Sequence, residues 1–264
     1  MGHETIYSER PQRLIFEQTS LFLDLDGTLA PLTQRPEGVG PDAARNGRLR
    51  RLAERLDGRL AVVSGRGIDD LDRILEGSVE ALAGIHGLQR RHGGKVALAA
   101  AHDNLDAVVR ALHAFSERMP GTQVELKPLS AALHYRGAPQ AEAEARLFGD
   151  ALSARTGLKQ QHGSMVIEFL TPGSDKGEAI HAFMLEPPFA GTIPVFAGDD
   201  LTDEDGFRAV TRLGGFGILV GPPRPTCAAF RLDGEAAVHA WLDQALSLNV
   251  FVLEAPVEPS YRRI

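Results

Sequence analysis

Cysteine is almost missing from this chain: Cys227 stands alone among 264 residues. A single thiol excludes an internal disulfide and fits a reducing compartment. Basic residues are in deficit, with 28 Lys and Arg against 35 Asp and Glu and a formal net charge of −7. That balance argues against sequence-independent binding of nucleic acid or of an anionic membrane, both of which need a basic surface. It does not exclude a small anionic substrate, because a local site can be basic in an acidic protein. No apolar run approaches the ~20 residues that cross a bilayer. The N-terminus, polar and charged from His3 to Arg13, lacks the basic-then-apolar pattern of a signal peptide. Fixed-period repeats and low-complexity tracts are also missing. What remains, 43% hydrophobic and 24% charged, is ordinary globular composition with a length prior of about two domains. The expectation is a cytoplasmic protein.

The stretch Leu21-Phe-Leu-Asp-Leu-Asp-Gly-Thr-Leu-Ala30 carries the most information. Its apolar part reads as a buried strand, since a parallel strand covered on both faces is near-continuously hydrophobic. Asp24 and Asp26 then fall at the carboxyl end, where open α/β sheets place their ligands. Two carboxylates so close repel each other, and burying them unpaired would cost several kcal/mol each. A hard divalent ion such as Mg²⁺ offsets that charge and suits oxygen ligands. The alternative is an Asp-Gly turn with both acids solvated.

Strand and helix signals alternate through about Gly87. Helix-like stretches cover Asp42 to Leu56 and Ile68 to Leu75, and Leu60 to Val63 and Ala81 to Ile85 read as strands. The pattern resumes with a helix over Gly177 to Met184, strands over Ile193 to Ala197 and Phe216 to Val220, and a closing helix over Glu235 to Leu246. Such alternation predicts an α/β fold with a doubly wound, parallel, Rossmann-like sheet. The middle differs. A helix over Asn104 to Arg118 precedes strands over Thr122 to Lys127 and Ser130 to Arg136, joined too tightly for a crossover. A second helix, Gln140 to Thr156, precedes strands over Leu158 to Gln161 and Met165 to Leu170. We therefore expect a core of 14–87 plus 172–264 and an inserted α+β domain over 88–171.

Three core strands end in polar residues: Asp24 and Asp26 on the first, Ser64 on the second, Asp199 and Asp200 on the third. Parallel strands bring these ends to one edge. Ser64 offers a hydroxyl donor at that edge, or a cap for the helix near Ile68. Asp199 reads as a further metal carboxylate and Asp200 as a supporting ligand, while Asp203 to Asp205 suit a solvated helix N-terminus. Lys176, in Ser174-Asp-Lys-Gly177, opens a helix, either as a surface lysine or as a cation that offsets negative charge developing in a transition state.

In this order the motifs resemble those of the haloacid dehalogenase superfamily of phosphohydrolases, where the first aspartate attacks phosphorus and the second protonates the leaving oxygen. The position of the insertion matches members with a large cap between the serine and lysine motifs. Val63-Ser-Gly-Arg66, Ala83-Gly-Ile-His-Gly87, Val124-Glu-Leu-Lys127, Ala132-Leu-His-Tyr-Arg136, Val166-Ile-Glu-Phe169 and Gly198-Asp-Asp-Leu-Thr-Asp-Glu-Asp205 further resemble patterns of the trehalose-6-phosphate phosphatase family. One departure is Asp175, where that family more often has an amide.

The resemblance implies Mg²⁺-dependent hydrolysis of a phosphorylated disaccharide, with Asp24, Asp26, Ser64 and Lys176 as catalytic residues. Asp24, Asp26, Asp199 and Asp200 would hold the metal, with a backbone carbonyl near Asp26 among the donors. Arg66, His86, Lys127, His134, Arg136 and Glu168 would meet the substrate. By strand alternation His134 and Arg136 share a face, and Glu168 suits paired sugar hydroxyls. The rivals are a related sugar phosphatase, a phosphomutase, and a catalytically silent sugar-phosphate-binding module. Association with a synthase that supplies the substrate is not legible in the sequence.

Overall fold

The computed structural model describes residues 12–33, 38–99, 101–127, 129–163, 165–172, 175–258 and 261. The N-terminal stretch before residue 12, part of the loop expected over Pro31 to Pro41, and most of the tail beyond residue 258 lie outside the described residues. The chain divides into two compact units, Met1–Ala97 with Asp175–Ile264, and Leu98–Ser174.

The first unit is built on an eight-stranded sheet. Its strands are β2 (Thr19–Leu23), β3 (Leu60–Val63), β4 (Ala81–Gly84), β5 (Gln89–His92), β6 (Lys95–Leu98), β11 (Ile193–Gly198), β12 (Phe216–Val220) and β13 (Phe230–Leu232), in the order β13-β12-β11-β2-β3-β4-β5-β6. From β13 to β4 neighbouring strands run parallel, and β5 turns antiparallel against β4. Helices α1 (Ala43–Arg55), α2 (Ile68–Leu75), α5 (Lys176–Met184), α6 (Glu204–Arg212) and α7 (Glu235–Leu248) complete the alternation. Strand side chains alternate between two buried clusters. Leu21, Leu23, Val62, Val195 and Ile218 join one, and Phe22, Val63, Phe196 and Leu219 the other. Both faces are therefore covered, which is why these strands read as unbroken apolar runs. A separate antiparallel pair joins β1 (Gln12–Ile15) to β14 (Val250–Leu253).

The chain enters the sheet at β2, moves outward through β3 and β4, and later returns to β11 on the other side of β2. Strand order thus reverses beside β2, and a doubly wound sheet opens its crevice at such a point. Asp24 follows β2 and Asp199 follows β11 on adjacent strands, with the Asp24 amide donating to the Ala197 carbonyl at 2.9 Å. Ser64 follows β3.

The second unit packs α3 (Leu105–Arg118) and α4 (Glu142–Thr156) with a four-stranded sheet in the order β7-β8-β10-β9. Its strands are β7 (Gln123–Lys127), β8 (Ser130–His134), β9 (Lys159–Gly163) and β10 (Val166–Leu170), each antiparallel to its neighbour. Leu133, Ile167 and Phe169 join Val108, Leu112 and Phe115 in its core. The opposite face carries polar residues. This unit begins at Leu98, ten residues beyond the expected boundary at 88, because β5 and β6 extend the core sheet. Its other boundary falls after Ser174, not 171.

Candidate active site

A cavity of about 380 Å³ at the crevice is lined by Asp24, Asp26, Ser64, His86, Lys176 and Asp199, together with Leu32, Gly65, Asp200 and Thr202. A somewhat larger one, about 440 Å³, borders α5 and α6 and mixes acids with Arg208 and Arg212. Chemistry rather than volume assigns the site to the first.

At its base lies one ammonium among three carboxylates. Lys176 Nζ sits 2.8 Å from Asp24 Oδ1 and 2.6 Å from Asp203 Oδ1, and Lys176, Asp24 and Asp203 are 3%, 4% and 0% exposed. A cation in the first turn of a helix opposes the helix dipole, so these carboxylates are what hold it there. Gly177 permits the approach: a Cβ on it would lie 2.5 Å from the Asp205 carbonyl, so α5 and α6 draw together only with glycine here. Burial alone would lower the Lys176 pKa, but Asp203 and Asp24 outweigh it and hold the ammonium charged.

The carboxylates respond the other way. Burial raises Asp24 well above the usual carboxylate range; Lys176 opposes that, and Asp203 and Asp199 add to it. Asp199 is pushed up to about 6, by burial first and then by Asp203. Ligand oxygens of Asp24, Asp199 and Asp203 lie within 4.8 Å of one another. With all three carboxylates ionised, one ammonium leaves two negative charges uncompensated. Asp199 Oδ1 is buried without a hydrogen-bond partner among the described residues, an arrangement that normally exacts a desolvation penalty. Hard oxygen donors, a two-charge deficit and an orphaned carboxylate oxygen fit a divalent cation. Gly27, at φ +78°, makes room for the Asp199 carboxylate, which any Cβ there would strike.

The remaining groups surround this centre. Arg66 grips Asp26 with two parallel bonds, Nε to Oδ2 and Nη2 to Oδ1, both 2.7 Å, and turns Nη1 to Asp70. Ser64, 1% exposed, accepts the Arg66 amide at 3.2 Å. Gly67 takes the N-cap position of α2, and Gln89 Oε1 accepts the Ile68 amide at 2.9 Å, so the alternative of Ser64 as that helix's cap is set aside. Ile85 and His86 hold φ of 48° and 54°. Two successive non-glycine residues in the left-handed region store strain, which concentrates at functional sites; the amides of both are anchored, to the Arg66 and Ser64 carbonyls.

In the second unit, Lys127 Nζ donates to Glu168 Oε1 at 2.9 Å and Ser130 Oγ to the same oxygen at 2.7 Å. His134 Nε2 lies 2.8 Å from Glu125 Oε2. The register pairs Glu125 and Glu168 with opposite edges of Ala132, which places these groups on one sheet face.

Comparison with known proteins agrees with this geometry. The profile of the family described as Trehalose-phosphatase matches residues 22–236. The chain belongs to that family. Among its relatives, the trehalose-6-phosphate phosphatase of Escherichia coli K12 is 42% identical over 227 residues, 84% of either chain. A probable trehalose-phosphate phosphatase of Sinorhizobium fredii is 38% identical over 232 residues, 87% of this chain and 88% of its own. The crystal structure of a trehalose-6-phosphate phosphatase related protein superposes with a TM-score of 0.69 at 27% identity, covering 86% of this chain and 97% of that one.

In this trehalose-phosphatase family member the structure gathers Asp24, Asp26, Ser64, Arg66, His86, Lys176 and Asp199, and it rearranges three expectations. Asp200 is exposed and outside the close carboxylate group; it caps the short turn Leu201–Asp203 instead. Asp203, expected in solvent, is fully buried on Lys176 and completes the group. Arg136 does not share a strand face with His134: β8 ends at His134, and Arg136 is exposed in the turn that follows. Glu125, whose motif alone does not mark it as a site residue, faces the same way as Lys127. Asp175 accepts the Glu178 amide at 3.0 Å as the N-cap of α5, a role its carboxylate fills well. No helix among the described residues is long and apolar enough to cross a membrane.

Proposed function

We propose that this chain hydrolyses trehalose 6-phosphate to trehalose and phosphate with Mg²⁺. The observation that carries the reading is the buried Asp24 carboxylate, paired with Lys176 and set beside Asp199, whose Oδ1 has no hydrogen-bond partner among the described residues. A carboxylate oxygen of Asp24 attacks phosphorus, and the bond from phosphorus to the sugar oxygen breaks. Asp26 gives its proton to that oxygen. Water then attacks the phosphorus of the aspartyl-phosphate, Asp26 takes up its proton, and Asp24 is regenerated; splitting the reaction this way replaces one hard step by two easier ones.

Lys176 and Ser64 face the phosphoryl oxygens, where preorganised donors stabilise developing charge. Arg66 orients the Asp26 carboxyl through its two-bond grip, and one of those bonds opens when that carboxyl carries its proton. Asp24, Asp199 and Asp203 would hold Mg²⁺, and with it bound the site offsets phosphoryl charge as other phosphoryl-transfer enzymes do. The polar face of the second unit, with Glu125, Lys127, His134 and Glu168, suits a disaccharide rich in hydroxyls, and that unit would act as a specificity cap.

The test is phosphate release from trehalose 6-phosphate, sucrose 6-phosphate, glucose 6-phosphate and a mannosyl phosphate, with Mg²⁺ and with chelator. Trehalose 6-phosphate should be the best substrate, and chelator should silence all of them. Asp24→Asn should abolish turnover with the fold retained; turnover near the wild-type rate in that variant refutes the nucleophile assignment.

A further inference from the structure

The acidic segment after β11 holds five acids between Asp199 and Asp205, and its geometry is fixed from behind by a residue outside that segment. Arg224 lies in Gly221-Pro-Pro-Arg-Pro-Thr226, between β12 and β13, where flanking prolines restrict the backbone. Its Nη2 donates to the Asp200 carbonyl at 2.7 Å and to the Asp199 carbonyl at 3.3 Å. Its Nη1 pairs with Glu204 Oε1. Glu204 is 4% exposed, and its other oxygen accepts the Cys227 amide at 2.7 Å. On the inner side, the Asp200 amide donates to Asp203 Oδ2 at 2.9 Å. The peptides around Asp199 are thus held from both sides, carbonyls outward on Arg224 and an amide inward on Asp203.

Resting on the metal-site reading above, we infer that Arg224, itself fixed by Glu204, is a positioning residue for the divalent cation. Three carboxylates within 4.8 Å of one another repel when no cation lies between them, and Asp199 is the one whose own peptide and the next are held by Arg224. The guanidinium resists that drift by two bonds to the loop's own backbone, leaving the Asp199 side chain aimed inward. Guanidinium suits this task because its planar fork presents several donors in a fixed geometry. A preorganised donor set binds more tightly than one that must be ordered on binding, and groups that orient metal ligands commonly contribute about 10–100-fold in affinity. Arg224 makes no bond to any carboxylate of the site, so its effect runs through the Asp199 and Asp200 peptides.

The experiment is Mg²⁺ titration of the full chain by calorimetry, for wild type, Asp199→Ala, Arg224→Ala and the double variant Arg224→Met/Glu204→Gln. The double variant leaves no unpaired buried carboxylate, so it keeps the test alive if Arg224→Ala fails to fold. Both Arg224 variants should weaken Mg²⁺ binding about tenfold. The Mg²⁺ concentration giving half-maximal hydrolysis of p-nitrophenyl phosphate should move by the same factor, while KM for that ester at saturating Mg²⁺ shifts less than twofold. A folded Arg224 variant that binds Mg²⁺ as wild type does, with only its melting temperature lowered, overturns the inference. If wild type takes up no Mg²⁺, or Asp199→Ala takes it up equally well, the metal-site reading itself fails and this inference falls with it.

Discussion

Replacing Lys176 by methionine removes the sole ammonium of the carboxylate cluster while nearly preserving its volume. With Lys176 gone, Asp24, Asp199 and Asp203 share a pocket in which two of the three are under 5% exposed. Removing one partner of a buried ion pair is destabilising by about 3–5 kcal/mol, because the charge left behind stays uncompensated. Taking the lower end, about 3 kcal/mol, and roughly 2–4 °C per kcal/mol for a unit of this size gives a drop of about 6–12 °C in Tm. The drop should depend on pH, with a definite sign. Asp24 already sits above its ordinary pKa, mainly through burial, and without Lys176 it rises further. A carboxyl whose folded-state pKa is raised loses stability as pH climbs through that value and is unpenalised below its unfolded pKa. Calorimetry in chelator should therefore show the full deficit near pH 8 and a much smaller one near pH 5, and Mg²⁺ should restore more stability to the variant than to wild type. Equal deficits at both pH values, or under 2 °C at pH 8, would refute the charge argument. Turnover should fall by at least about 10²–10³, the usual effect of losing one transition-state donor.

Three further outcomes follow from the same geometry. Gly27→Ala should cut activity at least about tenfold and weaken Mg²⁺ binding in calorimetry, since its Cβ strikes the Asp199 carboxylate and its φ of +78° disfavours a side chain. Asp203→Ala should abolish steady-state hydrolysis whereas Asp200→Ala moves the Mg²⁺ requirement by less than about threefold, because only Asp203 reaches Lys176; the opposite ranking would restore Asp200 to the ligand set. Glu168→Ala should depress kcat/KM for trehalose 6-phosphate by about ten- to a hundredfold, the worth of a polar contact of about 1–3 kcal/mol, and leave p-nitrophenyl phosphate nearly untouched; equal losses on both would make Glu168 structural.

The sheet was legible because its central strands are covered on both faces, and such strands cannot hide: Leu60–Val63 and Phe216–Val220 fall where the apolar runs put them. The convergence of Asp24, Ser64 and Asp199 followed from parallel topology alone. β5 carries no strand signal because Gln89-Arg-Arg-His92 has no apolar alternation; it is held by the β4 edge and by ion pairs such as Arg90 with Glu186 and Arg91 with Asp72. β1 and β14 pair residues at opposite ends of the chain, a contact that no local pattern announces. Arg136 departs from the strand alternation because β8 ends two residues before it, where the chain turns.

The exchange of Asp200 for Asp203 shows what a one-dimensional reading of acidic clusters lacks. Acids at a helix start have a sufficient explanation in the dipole, and nothing in the spelling Asp-Asp-Leu-Thr-Asp distinguishes an outward cap from an inward partner of Lys176. The short turn at Leu201–Asp203 makes the distinction. A capping box places Asp200 on the outer side, accepting from the amide of Asp203, and folds Asp203 back so that its Oδ2 accepts the Asp200 amide. That leaves Asp203 Oδ1 directed at Lys176. One carboxylate therefore closes the turn that carries Asp199 and anchors the ammonium beside Asp24. Local folding of the loop and the charge balance of the pocket are set by the same side chain, so the loop cannot unwind without releasing Lys176, and Lys176 cannot leave without stranding the acids it separates.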